Sequence, residues 1–272
     1  MKKSLVEEFP SVINRIYQLY KLYPNVEDVV SRNPVTIDPT ATMLEAGRVM
    51  GERHIGSLLV EDKGRTVGMV TERDLLSKVI AKRRRPEHVM VKEIMSTYLV
   101  TIKPIASVRE AARKMIKEKG RLVVLEEGKA VGIVTASDLV KKLPALEVEL
   151  KVDDAMTPKV TTLDVESSIE VAAGLMDRER IGSVITTQGG RVVGIFTERD
   201  LLTKVIAAGV PLNTKVGSVA SSPLITIPSG TPINQAAKFM SEKHIRRLPV
   251  AAADGNVIGI VTARDLVEAY AR

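Results

Sequence analysis

Four times along the chain, apolar and polar positions fall in the same order. A short β-branched run comes first, as in Pro34-Val35-Thr36-Ile37 and Leu224-Ile225-Thr226-Ile227, and reads as a strand. Apolar residues at helical spacing follow behind a capping signal. Thr42 with Glu45, Ser107 with Glu110 and Ser167 with Glu170 fit a capping box, whereas Thr231-Pro232 sets a proline at the first helical position. Two apolar runs then flank a turn at Asp62-Lys63-Gly64, Glu127-Gly128, Gly189-Gly190 or Asp254-Gly255, the pattern of two strands joined tightly. Each unit closes with a further helical pattern, so it predicts strand, helix, strand, strand, helix: an α+β unit repeated along the chain.

The junction before the last helix carries the clearest signature. Thr71-Glu72-Arg73-Asp74, Thr135-Ala136-Ser137-Asp138, Thr197-Glu198-Arg199-Asp200 and Thr262-Ala263-Arg264-Asp265 follow the strands VGMV, VGIV, VGIF and IGIV, and their aspartates lie 64, 62 and 65 residues apart. A period of this size marks a repeat architecture. Residues 55–81 and 181–207 are identical at 17 of 27 positions, and repeats two and four share an arginine before the second strand, Arg121 and Arg247. The chain therefore reads as a duplicated pair, AB-AB, divided near residues 143–151, with repeats over 26–82, 89–143, 152–208 and 216–270. A three-stranded unit of about 60 residues buries too little alone. Pairing of repeats within each half, with the helices buried between them, is the expected remedy.

Composition narrows the chemistry. Cysteine is absent and only three histidines occur, His54, His88 and His244, which excludes disulfides, thiolate metal sites and thiol nucleophiles; no metal is expected. No P-loop and no nucleophile–base–orienter set is visible, so the chain is not read as an enzyme. Met1-Lys2-Lys3 leads into Glu7 and Glu8 rather than an apolar segment, and the longest uncharged stretch, residues 216–237, holds three prolines. No membrane span or signal peptide is expected, and the location expected is cytoplasmic. The net charge of +7 fits either a solvated basic surface or an anionic ligand. With no tryptophan and four of the eight aromatics inside the first 23 residues, a stacking platform for single-stranded nucleic acid is unsupported.

The four Gly-apolar-apolar-Thr-x-x-Asp-Leu runs resemble those of cystathionine β-synthase (CBS) domains, over about residues 26–270. The resemblance implies two Bateman modules, each a pseudo-twofold pair of repeats with two clefts between the sheets, in a layout similar to the γ subunit of AMP-activated protein kinase. It implies that the clefts take AMP, ADP, ATP or S-adenosylmethionine as a regulatory ligand in energy sensing, and that the protein acts on a regulated protein partner or through a homo-oligomer. Carried across, the ribose carboxylate is Asp74, Asp138, Asp200 or Asp265, and Thr71, Thr135, Thr197 and Thr262 contact phosphate or sugar. Adenine lies against Val35-Thr36, Val100-Thr101, Thr161-Thr162 or Ile225-Thr226, and against Ile55, Ile181 or Ile245. Gly56 and Gly182 stand where repeat four has Arg246, and cations for phosphate are Arg73, Arg121, Arg199, Arg246, Arg247 and Arg264. Repeat four is the richest in them. His54, Arg180 and His244 occupy one equivalent position that either meets phosphate or is a solvated helix end.

Thr-x-x-Asp also has a purely structural reading, since it is itself a capping box. A binding role requires the carboxylate to face a cleft beside a helix N-terminus, where free N–H groups favour phosphate. Outside the repeats, Phe9, Val12, Ile13, Ile16, Tyr17 and Tyr20 make one face of an amphipathic helix within residues 1–25, for docking on the chain's own repeats or on a partner. Lys82-Arg83-Arg84-Arg85 is the densest charge run. It reads as a solvated linker or, in the rival reading, as part of a basic nucleic-acid-binding face beside vestigial clefts. A further rival is an enzyme site in the groove between the halves.

Overall fold

The computed structural model describes residues 24–118, 120–142 and 149–271. The amphipathic helix expected before the repeats lies outside the described residues, save that Asn25 is extended. The architecture is α+β. Each repeat builds a small sheet whose second strand is central, parallel to the first and antiparallel to the third; in repeat one these are Thr36–Ile37, Ser57–Asp62 and Arg65–Thr71. Residues 57–60 of the central strand are all buried, as a strand covered on both faces must be. The hairpin turns fall where the sequence puts them, and Lys63 and Gly64 at φ 50° and 75° show why a glycine stands there.

The opening helices span Met43–Glu52, Val108–Lys117, Ile169–Arg178 and Ile233–Glu242. Thr42 and Ser107 accept from the amides of Glu45 and Glu110 as expected, and Glu45 closes its box on the Thr42 amide, whereas the Ser107 cap is one-sided. In repeat three the cap is Ser168, not Ser167: Ser168 is extended and accepts from the Val171 amide, which frees Glu170 to pair with Arg83. In repeat four Pro232 is itself the N-cap, at ψ 140°, and the helix starts at Ile233.

Within each half the repeats exchange their entering segments. Ser31–Arg32 joins the sheet of repeat two beside Ile133 and Gly132, while Ser96 bridges Met69 of repeat one. In the second half Thr157 bridges Ile260 of repeat four and Ser221 bridges Ile195 of repeat three. This crossing explains the glycine in every third strand. A Cβ on Gly68, Gly132, Gly194 or Gly259 would meet the carbonyl oxygen of Ser96, Ser31, Ser221 or Thr157 at 2.6–2.9 Å, closer than any side chain tolerates.

The helices depart from expectation. They are buried between the halves rather than between the repeats of one half. One core joins Met43, Met50 and Leu76 of repeat one to Ile169, Phe196 and Leu202 of repeat three. A second joins Val108, Met115 and Leu139 of repeat two to Ile233, Met240 and Leu266 of repeat four. The reason lies in the two faces of each sheet. Within the first half the sheets meet through Leu59, Met69, Val123 and Ile133, which leaves the helical layer on the other side for the opposite half to cover.

Candidate functional site

In all four motifs the aspartate does serve as a helix cap, with one oxygen. Oδ2 of Asp74, Asp138, Asp200 and Asp265 accepts the amide of Thr71, Thr135, Thr197 and Thr262 at 2.8–3.0 Å, and the threonine hydroxyl as well. The other oxygen distinguishes the repeats. Oδ1 of Asp74 meets Lys78 at 2.7 Å. Oδ1 of Asp138 meets Lys141 at 3.3 Å and the Ser31 hydroxyl at 3.4 Å. Oδ1 of Asp200 meets Lys204 at 2.8 Å and accepts from Ser221 at 2.9 Å. Asp265 has Ala269 where the lysines of repeats one and three stand, and among the described residues nothing binds its Oδ1. Burial pushes its carboxyl above the ordinary aspartate value, with Glu268 adding to the effect and Thr262 and Arg264 opposing it.

Two cavities open between the repeats of the second half, with residues of the first half completing their walls. The larger, about 670 Å³, sets Thr197 and Asp200 of repeat three against Pro223, Ile225 and Ile245 of repeat four. The other, about 470 Å³, sets Thr262 and Asp265 of repeat four against Thr157, Thr161 and Ile185 of repeat three. Each cleft is thus composite, pairing one repeat's carboxylate with the other's entering segment, as the exchange of those segments requires. The first half differs in its filling. Leu59, Met69, Val123 and Ile133 pack on one another there, whereas their counterparts by strand register, Ile185, Ile195, Pro249 and Ile260, line the two cavities.

The expected site residues divide accordingly. Thr197, Arg199, Asp200, Ile225, Arg246 and Arg247 face the larger cavity. Arg73, Arg121, Thr135, Ile181, Gly182, Thr262, Arg264 and Asp265 face the smaller, which also shares Arg246 and Arg247. His54 and His244 reach the first and Arg180 the second, all three at φ near 55° just past a helix. Thr36, Ile55, Gly56, Thr71, Asp74, Val100, Asp138, Thr162 and Thr226 line neither cavity. Thr162 and Thr226 are exposed, and their neighbours Thr161 and Ile225 face the cavities instead.

Where the four repeats meet, two glutamates that sequence reasoning passed over organise the arginines. Glu72 and Glu198, the first x of the motif in repeats one and three, are each 5% exposed. Glu72 meets Arg246 at 2.7 Å, Arg121 at 3.2 Å and Arg199 at 3.6 Å. Glu198 meets Arg73 at 2.7 Å and Arg247 at 2.8 Å. Burial alone would raise the Glu72 carboxyl, but Arg246, Arg121 and Arg247 hold it below the ordinary value. Burial pushes the Arg121 guanidinium down, though an arginine stays charged. Gly56 and Gly182 make room for this cluster: a Cβ on Gly56 would lie 2.6 Å from Glu72 and 2.9 Å from Arg121. The signal was present in the sequence, since repeats one and three have glutamate where two and four have Ala136 and Ala263.

The basic run is not a free cationic face. Lys82 pairs with Asp177, Arg83 with Glu170, Arg84 with Glu93 and Arg85 with Glu87. Its first two members tie repeat one to the opening helix of repeat three. Among the described residues no group of acidic or histidine side chains is placed to hold a metal, and no helix is long and apolar enough to cross a membrane.

Comparison with known proteins adds a family. The chain is 36% identical to uncharacterized protein MK0525 of Methanopyrus kandleri over 126 residues, 45% of this chain and 64% of that protein. It is 33% identical over 187 residues to an uncharacterized 33.4 kDa protein encoded in the ribosomal RNA operon of Thermofilum pendens, 63% of this chain and 61% of that one. The chain thus spans less than two thirds of either relative. The crystal structure of protein MJ1225 from Methanocaldococcus jannaschii, proposed as an archaeal homologue of γ-AMPK, superposes with a TM-score of 0.76 at 22% identity, covering 91% of this chain and all of that one; at that identity it shows a shared fold. The family model of the CBS domain matches residues 26–81, 91–145, 152–207 and 216–272. These four matches take in most of the sequence, and with the sheets, the exchanged segments and the capped motif behind them, the chain belongs to the CBS-domain family as an array of four such domains.

Proposed function

We propose that this chain is a regulatory sensor whose second half binds adenosine nucleotides. CBS domains generally bind adenosine ligands in regulatory roles, and the observation that carries the reading to a particular cleft is Asp265. Its Oδ2 is spent on the cap, while its Oδ1, among the described residues, is unclaimed. A carboxylate oxygen so placed accepts ribose hydroxyls. The apolar side chains of Ile181, Ile185 and Ile260 form a slot for a purine, and Arg246, Arg247 and Arg264 offer donors to phosphate. In the larger cavity Ser221 and Lys204 occupy the matching oxygen of Asp200, so a ribose entering there must displace them.

The first half contributes directly. Arg121, Thr135 and Ser137 line the Asp265 cavity, and His54 and Lys141 the Asp200 cavity, so a ligand is sensed where the halves meet. Catalysis is no part of the proposal: the ligand's binding is the output, transmitted to a regulated partner. AMP, ADP, ATP and S-adenosylmethionine are the compounds to titrate.

The test is calorimetry with thermal unfolding on the wild type, Asp265→Ala and Asp265→Asn. Binding raises the Tm of the wild type by mass action. Losing hydrogen bonds to a charged group costs about 1.5–3 kcal/mol, which is roughly 10–100-fold in affinity. Asparagine still caps a helix, so Asp265→Asn separates the roles: affinity falls while the fold is kept. If none of the four compounds binds at millimolar concentration, the proposal is wrong and the motif is a cap alone.

A further inference from the structure

The two cavities are not separate in their cations. Arg246 and Arg247 line both. Around them the cluster is nearly symmetric, since Arg73 and Arg199 stand at matching motif positions and Arg121 and Arg247 at matching positions where a second strand begins. Arg246 breaks that symmetry, because its counterpart in repeat two is Gly120. It is the third cation on Glu72, where Glu198 has two. Five guanidiniums thus face two carboxylates, and the packing is imperfect: Nε of Arg199 and Oε2 of Glu72, 3.6 Å apart, and Oε1 of Glu198 are buried without a hydrogen bond in the described structure. A partly buried excess of positive charge attracts an anion. A phosphate in either cavity meets that demand by drawing on the same pair of side chains.

We propose that the two cavities compete for phosphorylated ligands through the shared Arg246–Arg247 pair, so that a phosphate-bearing ligand in one weakens binding of a second in the other. The proposal rests on the adenosine reading of the Asp265 cavity, extends it to the Asp200 cavity, where the ligand displaces Ser221 and Lys204 from the carboxylate, and adds how the two communicate. Guanidiniums turned toward one phosphate are withdrawn from the other cavity, and two phosphates near one low-dielectric centre repel. A ligand without phosphate makes no demand on the pair, so it fills the cavities independently. The coupling therefore belongs to the ligand's charge and not to a change of fold.

The experiment is calorimetry in buffer free of phosphate and sulfate, with AMP and with adenosine. Asp200→Ala and Asp265→Ala each report the other cavity alone. For adenosine, the weaker stepwise constant of the wild type is expected to equal the constant of the weaker cavity measured alone. For AMP it is expected to be weaker by a factor in the usual range of allosteric coupling, about 5–150-fold. Arg246→Gly, which installs the residue already present at the equivalent Gly120, is expected to weaken AMP but not adenosine in both single-cavity backgrounds. The competition is overturned if AMP constants in the wild type match those of the isolated cavities, or if Arg246→Gly affects one background alone. In either case adenosine binding leaves the sensor reading standing, whereas no binding of either compound removes both.

Discussion

Replacing Glu72 by glutamine tests whether the buried centre holds the four repeats together. The carboxylate is 5% exposed and meets three arginines at 2.7, 3.2 and 3.6 Å. Glutamine keeps the volume but removes the charge, leaving Arg121, Arg199 and Arg246 to repel one another. Deleting one partner of a buried ion pair costs about 3–5 kcal/mol. These arginine side chains are 21–31% exposed, so water screens part of the penalty, and the lower bound of about 3 kcal/mol is the better figure. At roughly 2–4 °C per kcal/mol for a chain of this size, Tm falls by about 6–12 °C at pH 7. The pH dependence carries the mechanism. The Glu72 carboxyl lies below its ordinary value of 4.5 in the folded state, so its contribution is complete above the unfolded value and is lost as pH falls through the folded one. Thermal unfolding of wild type and Glu72→Gln across pH 8 to 3 then shows a constant gap that narrows below about pH 4.5. A gap under about 2 °C at pH 7, or one indifferent to acid, refutes the reasoning.

Two helical glycines test the contact between halves. A Cβ on Gly51 would meet the Leu202 carbonyl oxygen at 2.7 Å and Ala207 at 2.9 Å, whereas one on Gly174 meets nothing within 4 Å. Gly51→Ala is expected to cost about 1–3 kcal/mol and Gly174→Ala to gain up to about 1 kcal/mol, read by chemical denaturation; equal effects would mean repeats one and three are not in such contact. The Asp265 carboxyl, raised by burial, contributes to stability in its neutral form, and that contribution is lost as pH rises through the folded value. Asp265→Asn therefore holds or raises Tm at pH 7, and a drop of several degrees contradicts this. Nucleotide affinity at the Asp265 cavity should begin to fall at a pH above the ordinary aspartate range, and calorimetry of Asp265→Asn should show no such titration.

The repeat, its element order and its capped motif were legible because each rests on local chemistry. A threonine three residues before an aspartate caps a helix whatever it packs against, and a glycine beside a crossing carbonyl is needed in every copy. The helical pairing was not legible. The apolar faces carrying Met43 and Met50, or Ile169 and Met176, show that something covers them but not which repeat does so. The unequal clefts escaped for a related reason. Leu59 against Met69 and Ile185 against Ile195 are the same class of residue in the same register, and only their packing shows a filled interface in one half and a lined cavity in the other. Glu72 and Glu198 drew no notice in the sequence, because a glutamate in a helix's first turn is ordinary; only the fold brings arginines of three other repeats onto Glu72 and of two onto Glu198.

The exchange of entering segments also sets the order in which the chain can fold during synthesis. Ser31 and Arg32 find their partners at Ile133 and Gly132, roughly a hundred residues downstream, and non-local pairing of this kind slows folding. At about 5–20 residues per second on the ribosome, that strand waits some 5–20 s for its neighbour. The helical layer of repeat one waits longer, since Leu202 and Ile206 belong to repeat three. A nascent chain that has emerged only as far as repeat two therefore displays a wide apolar surface, and its yield in the cell depends on what shields that surface until the second half arrives.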